Sequence, residues 1–182
     1  AGNDGGYYRC GIGWYRKTFD FVPDSRRPET TLYFEGAYMN AEVFVNGHNL
    51  GIRPYGYSSF YHDITPYLKA GKNVIAVRVD NSGQKNCRWY TGSGIYRNVK
   101  LIRTPKAHFE PWGIGITTEQ ANRKTQVEVE ATLANRDKDL PATLLCTVTE
   151  LDGHTILTQK ETVTLEANRT SKVKLQFPFE SA

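Results

Sequence analysis

The sequence predicts an all-β chain built as two consecutive β-sandwiches, and three observations carry that expectation. The run Asn73–Asp80 (NVIAVRVD) alternates Ile75, Val77 and Val79 with Ala76, Arg78 and Asp80, the period of two expected where one face of a sheet meets a core. Asn46-Gly47 and Asp152-Gly153 stand between apolar runs, and these dipeptides favour the positive φ angles of tight hairpin turns. No long amphipathic helical period runs anywhere in the 182 residues, so sheet packed on sheet is the simplest way to bury the apolar faces.

In chain order, strands are expected at Trp14–Val22, Thr30–Glu35, Ala41–Val45, Tyr57–Tyr61 and Asn73–Asp80, all rich in β-branched and aromatic residues. Asn46-Gly47 folds the third of these into a tight antiparallel pair. Between the fourth and fifth, the segment DITPYLKAG predicts one short helical turn. Thr65 is expected to cap it, Pro66 to take the first helical position where no amide donor is needed, and Gly71 to end it in the left-handed region. Ile95–Arg103 closes the first half as a further strand.

The segment TPKAHFEPWG, with two prolines, then interrupts the pattern, and the domain boundary is placed near Pro105. Residues 1–105 form one domain and residues 106–182 a second, shorter one that ends without an obvious closing strand. In TQVEVEATL, residues Val127, Val129, Ala131 and Leu133 point one way; in ATLLCTVTEL, Leu144, Cys146 and Val148 do. Cys146 therefore reads as a buried core thiol. Short strands at His154–Gln159, Thr162–Leu165 and Lys172–Phe177 complete a spacing typical of sandwiches.

Composition narrows the function classes. Lys and Arg number 23 against 19 acids, a formal charge of +4, but the basic residues are spread from Arg9 to Lys174 with acids between them. Nucleic-acid binding would concentrate them on one face, so no nucleic-acid partner is expected. No run approaches the ~18 apolar residues of a membrane span. The three cysteines, Cys10, Cys87 and Cys146, form no metal-ligand spacing, and a Cys10–Cys87 disulfide stays open as an alternative to free thiols in an oxidising compartment. His48, His62, His108 and His154 are too far apart in sequence to suggest a metal centre; neither metal nor cofactor is expected. The first residues, AGNDGG, carry no charged and apolar leader.

Three stretches together resemble glycoside hydrolase family 2, above all its β-galactosidase branch: GIGWYRKTF at 11–19, AEVFVNGHNLG through DITPYL at 41–68, and RWYTGSGIYRNVKL at 88–101. PWGIGITTE at 111–119 is similar to the lead-in of that family's next domain. The resemblance implies a jelly-roll (galactose-binding-like) domain over 1–105, an immunoglobulin-like β-sandwich over 106–182, and a catalytic (β/α) barrel elsewhere in the same polypeptide carrying the acid/base and nucleophilic glutamates. It also implies a carbohydrate partner, galactosides first with glucuronides and mannosides as alternatives, and export to the periplasm, with a cytoplasmic location as the alternative.

No catalytic residue is assigned within the chain itself. Retaining hydrolysis needs two carboxyl groups roughly 5 Å apart across the scissile bond, and the strand pair Glu128 and Glu130 lies opposite the apolar set, on the solvent face. The segment RWYTGSGIYR carries the functional expectation. Gly92 and Gly94 free the backbone for a turn, from which Arg88, Trp89 and Tyr90 project. A guanidinium can donate several hydrogen bonds to hydroxyls or a carboxylate, and indole and phenol rings offer flat apolar faces to a sugar. The competing reading packs Trp89 and Tyr90 into a domain seam and pairs Arg88 with an acid. The resemblance also places Tyr7 and Tyr8 near the pocket, while Trp14 reads as core and Arg16 and Arg97 as loop anchors. Two other functions stay open: an autonomous carbohydrate-binding module stacking on Trp89 and Tyr90, and a cell-surface adhesion protein of sandwich domains.

Overall fold

Strand follows strand through the computed structural model, which describes residues 11–83, 92–121 and 124–180. The chain divides into two units between Thr104 and Pro105. In the first unit the strands are β1 (Ile12–Phe21), β2 (Glu29–Phe34), β3 (Ala37–Tyr38), β4 (Ala41–Val45), β5 (His48–Arg53), β6 (Phe60–Asp63), β7 (Gly71–Asp80), β8 (Gly94–Ile95) and β9 (Val99–Thr104). One sheet has the order β1-β7-β4-β5 and the other β6-β2-β9, with β3 and β8 paired separately. Every pairing is antiparallel.

Alternation decides what lies between the sheets. Val43 and Val45 of β4 and Ile75, Val77 and Val79 of β7 meet Leu32 and Phe34 of β2 and Phe60 of β6 in one buried cluster. Phe34 and Phe60 stack at 4.6 Å between centroids, an arrangement worth ~0.5–1.5 kcal/mol beyond the area it buries. The all-β expectation is met: among the described residues the one helical element is a single 3₁₀ turn at Thr65–Tyr67. Asn46 and Gly47 both take positive φ, 50° and 87°, as the β4–β5 hairpin requires.

Among the described residues this sandwich has an opening along one side. β1 and β9 are edge strands of their sheets, and a cleft of about 560 Å³ lies between them, lined by Tyr15, Phe19, Leu32, Phe34, Val99 and Leu101 among others. Lys17 also lines it; an inward-facing charge on an edge strand discourages uncontrolled strand pairing.

The second unit has β10 (Ala107–Ala121), β11 (Lys124–Asn135), β12 (Leu140–Thr149), β13 (Thr155–Leu165) and β14 (Arg169–Glu180). They form a three-stranded sheet β10-β11-β14 and a two-stranded sheet β12-β13, with Leu133, Leu165 and Val173 in the core between them. The β12–β13 turn places Gly153 at φ 91° and donates the Gly153 N–H to Glu150 O at 3.0 Å.

Several expectations are corrected. Trp14 is not core: register sets it opposite Arg78 on the outer side of the sheet, whereas Gly13 and Tyr15 oppose Val79 and Val77. Its side is 62% exposed, touching Phe44 at 5.8 Å between ring centroids. Thr65 does not cap the helical turn. Its hydroxyl accepts the Thr30 N–H at 2.8 Å, and the Asp63 carboxylate accepts the Thr65 N–H at 2.9 Å. Cys146 faces inward beside Leu144 and Val148 but is only half-buried, because a two-stranded sheet covers its neighbours incompletely. Ile95–Arg103 divides into β8 and β9, and the two short strands expected over 154–165 are one, β13.

Candidate functional site

The end of the first sandwich where β7 stops and β8 begins is a set of interlocked turns. Asn81, buried, donates its backbone N–H to Gly11 O at 3.0 Å and its side-chain amide to Ser93 Oγ at 2.7 Å. That second bond ties the two flanks of the segment 82–92 together. Beside it, Asp80 donates its N–H to Met39 O at 2.9 Å, and its carbonyl accepts from the Asn40 side-chain amide at 3.0 Å. The Asp80 carboxylate accepts from Ser82 Oγ at 2.6 Å, from the Ser82 N–H at 2.9 Å and from Arg78 at 2.7 Å. Those bonds, Ser82's foremost, hold its carboxyl below the ordinary aspartate range.

Gly94 supplies the return into the sheet. Its φ of 114° lies in a region closed to most L residues, and a Cβ there would collide with the Tyr15 hydroxyl. Tyr38 pairs with Gly94 and Ala37 with Ile95. Tyr96 then crosses Gly36, where a Cβ would overlap its ring, and donates its hydroxyl to Gly56 O at 2.7 Å. The backbone on the C-terminal side of the segment 88–93 is thus fastened to β1, β3 and the β5–β6 loop.

Arg88, Trp89, Tyr90, Tyr7 and Tyr8, the expected sugar-binding residues, lie outside the described residues, as do Cys10 and Cys87. The structure describes the footing of the segment that carries Arg88, Trp89 and Tyr90. Sequence reasoning passed over Asn81, Ser93 and Tyr15 as positioning residues. A signal was present in DNSG at 80–83, where Asp and Asn readily bond their own backbone in turns.

Glu128 and Glu130 sit on β11 opposite Gln176 and Lys174 of β14. Lys174 bonds Glu128 at 2.7 Å and Lys172 bonds Glu130 at 2.7 Å. Hydrogen bonds from Lys174 and Lys172 respectively keep both carboxyls below the ordinary glutamate range. Both stay ionised at neutral pH and share lysine partners, an arrangement of a charged sheet surface; neither holds a proton to give to a leaving group.

The family model for the sugar binding domain of glycosyl hydrolases family 2 matches residues 7–105. The chain belongs to glycoside hydrolase family 2. Among members of the family, it is 42% identical over 172 residues to beta-galactosidase BoGH2A of Bacteroides ovatus, an alignment covering 93% of this chain and 20% of that protein. It is 52% identical over 126 residues to a putative beta-glucuronidase of Formosa agariphila, covering 69% of this chain and 12% of the relative. Among solved structures, a family 2 member from Bacteroides cellulosilyticus superposes with a TM-score of 0.80 at 38% identity, covering 94% of this chain and 24% of that one. Bacteroides uniformis beta-glucuronidase 2, covalently bound to cyclophellitol-6-carboxylate aziridine, gives a TM-score of 0.88 at 26% identity over 95% and 22% of the two chains. The chain therefore spans between about an eighth and a quarter of the length of these relatives.

Proposed function

We propose that this chain is the non-catalytic, sugar-binding and scaffolding part of a glycoside hydrolase that cleaves O-glycosidic bonds, a β-galactosidase first, with its catalytic carboxyl groups on a (β/α) barrel elsewhere in the polypeptide. In this reading the first unit is the jelly-roll domain over 1–105 and the second an immunoglobulin-like domain over 106–182, and the polypeptide works in the periplasm or beyond. The observation that carries it is the Asn81–Ser93 bond at the foot of the segment 82–92, within the residues that match the sugar binding domain. In this reading Arg88, Trp89 and Tyr90, which lie between those two flanks in the sequence, meet the sugar through guanidinium donors and aromatic faces. Their contribution to catalysis is positional: they complete one wall of a pocket whose bond-breaking groups come from another domain.

Relatives are named for both galactosidase and glucuronidase activity, so both sugars belong in the test. Purified full-length polypeptide and the 182-residue chain are each incubated with nitrophenyl β-galactoside and β-glucuronide. Turnover by the full polypeptide and none by the chain is the expected result; hydrolysis by the chain, abolished by a substitution within it, would refute the assignment. Trp89→Ala in the full polypeptide should raise KM for its substrate by about tenfold, the equivalent of ~1.4 kcal/mol.

A further inference from the structure

Trp14 stands on the outer face of the sheet β1-β7-β4-β5, and strand register shows what surrounds it. One row across the sheet is Trp14 of β1, Arg78 of β7, Glu42 of β4 and Ile52 of β5; the next is Arg16, Ala76, Phe44 and Asn49. Trp14, 62% exposed, meets the Phe44 ring at 5.8 Å between centroids and 31° between planes. Between them β7 presents Ala76, whose single methyl leaves room for the indole to lean across the strand. Ile12 and Ile52, on the same face, are exposed as well.

The polar groups beside the indole are already fastened to one another. Asp80 and Glu42 flank the Arg78 guanidinium at 2.7 Å and 4.0 Å. Glu42 accepts the Asn49 side-chain amide at 2.7 Å, and Asn49 accepts the Gly51 N–H at 2.7 Å. Side chains ordered in advance lose little freedom on binding. The Asp80 bond uses one of the five N–H donors of the guanidinium, and a carboxylate oxygen can accept more than one hydrogen bond. Around Trp14, Arg16 and Arg78 stand against Glu42 and Asp80, so this part of the face carries no net charge. That balance selects among occupants. A phosphate backbone needs a basic surplus, and the core of a protein interface is depleted of charged residues. An exposed indole bordered by oriented donors and acceptors suits the C–H face and hydroxyl rim of an uncharged sugar.

We propose that this face is a surface site for a neutral polysaccharide, with Trp14 as the stacking platform and Arg78, Glu42 and Asn49 as the groups that bond its hydroxyls. Neighbouring strands lie about 4.8 Å apart, so the row from Trp14 to Ile52 runs about 14 Å, long enough for more than one sugar residue of a chain. The inference takes from the reading above only the class of ligand, and it draws on none of Arg88, Trp89 and Tyr90.

The test is native affinity electrophoresis of the full-length polypeptide, as wild type, Trp14→Ala and Trp14→Phe, each checked for its fold by circular dichroism. The gels contain no polysaccharide, a neutral one (β-1,4-galactan, galactomannan or mixed-linkage β-glucan) or acidic polygalacturonate. The site is supported if a neutral polysaccharide retards wild type, Trp14→Ala weakens the apparent affinity at least fivefold, and Trp14→Phe, which keeps a ring face, retains most of it. Equal retardation of wild type and folded Trp14→Ala, no retardation of wild type by any of the neutral polymers, or stronger retardation by polygalacturonate each overturns it. A dimer in sedimentation that Trp14→Ala dissociates assigns the face to a second copy and overturns it too. Hydrolysis of nitrophenyl β-galactoside or β-glucuronide by wild type tests the reading above on its own: turnover without Trp14-dependent retardation removes this site and leaves that reading standing, and Trp14-dependent retardation without turnover does the reverse.

Discussion

Buried asparagines do much of the local fastening in both units. Asn73 donates its amide to Lys69 O at 2.7 Å and Gly71 O at 2.8 Å, while its Oδ1 accepts from the Lys69 N–H at 3.0 Å and from Asn46 at 2.8 Å. Asn135 does the same in the second unit, donating to Lys138 O at 2.8 Å and Leu165 O at 2.9 Å and accepting the Asp137 N–H at 3.1 Å. Replacing either by alanine leaves several backbone groups without these partners, the buried Leu165 O among them in the second unit, and should lower stability by about 2 kcal/mol, read as a shift in urea midpoint at constant slope, whereas Thr158→Ala on the surface should move it by less than ~0.5 kcal/mol. His62 gives the chain a pH response. It lies on the inward side of β6 against Phe60, edge to face at 5.8 Å, and its Nε2 is buried without a partner. Burial pushes its pKa below the ordinary value of 6.5, so between those two values the unfolded chain binds a proton that the folded chain refuses, and stability falls as the pH drops below about 6.5. The ion-paired Glu128 and Glu130, with pKa values below the ordinary 4.5, begin to cost stability only at lower pH. Thermal scans from pH 8 to 5 should show the melting temperature declining in wild type and nearly level in His62→Leu; parallel curves would exclude His62 as the cause.

At the scale of elements, glycine separates two kinds of constraint that the sequence shows alike. Gly47 has open space around its Cβ position but a φ of 87°, so Gly47→Ala should cost only the left-handed backbone penalty, ~1–2 kcal/mol. Gly56 has no such φ, yet an added methyl would strike the Tyr38 ring and backbone; Gly56→Ala should cost more than Gly47→Ala and alter the near-ultraviolet signal of the tyrosines. Comparative urea denaturation checks the order. The first of these positions was legible beforehand because Asn-Gly has an intrinsic turn preference, and the second was not, because its constraint comes from a residue 18 positions away. The same distinction runs through the strands. β7 was readable over Asn73–Asp80 since its faces differ so sharply, while β10 was obscured by Pro111-Trp112-Gly113: the register with β11 shifts between Phe109 and Ile114, and Trp112 takes a φ of 57°. That bulge keeps one continuous strand where the prolines suggested a break. β13 was read as two strands because most of its side chains are exposed on both faces, which leaves little alternation to follow. Trp14 and Tyr15 are adjacent aromatics, and only pairing with β7 decides which of the two faces inward.

For the molecule as a whole, turn glycines and neighbouring aromatics single out the segment 82–92 in the sequence, while Arg88, Trp89 and Tyr90 lie outside the described residues. The Asn81–Ser93 fastening at its flanks was not legible, because it depends on the distance between chain segments that only folding sets. Among the described residues, each unit also has inward-facing apolar surface that is exposed. In the first it is the cleft between β1 and β9; in the second, Ile114 and Ile116 share the side of Ala131 and Val129 yet are 56% and 66% exposed. An environment-sensitive naphthalene sulfonate dye should therefore bind the native chain, and Leu101→Glu, which places a charge in the cleft, should weaken that signal without unfolding the protein. Salting-out behaviour follows from the same opening. Ammonium sulfate raises the cost of wetted hydrocarbon, and β1 and β9, edge strands among the described residues, can offer backbone groups to a neighbouring copy. The chain should precipitate at a lower salt concentration than its size alone would suggest, and the Leu101→Glu variant should stay dissolved longer.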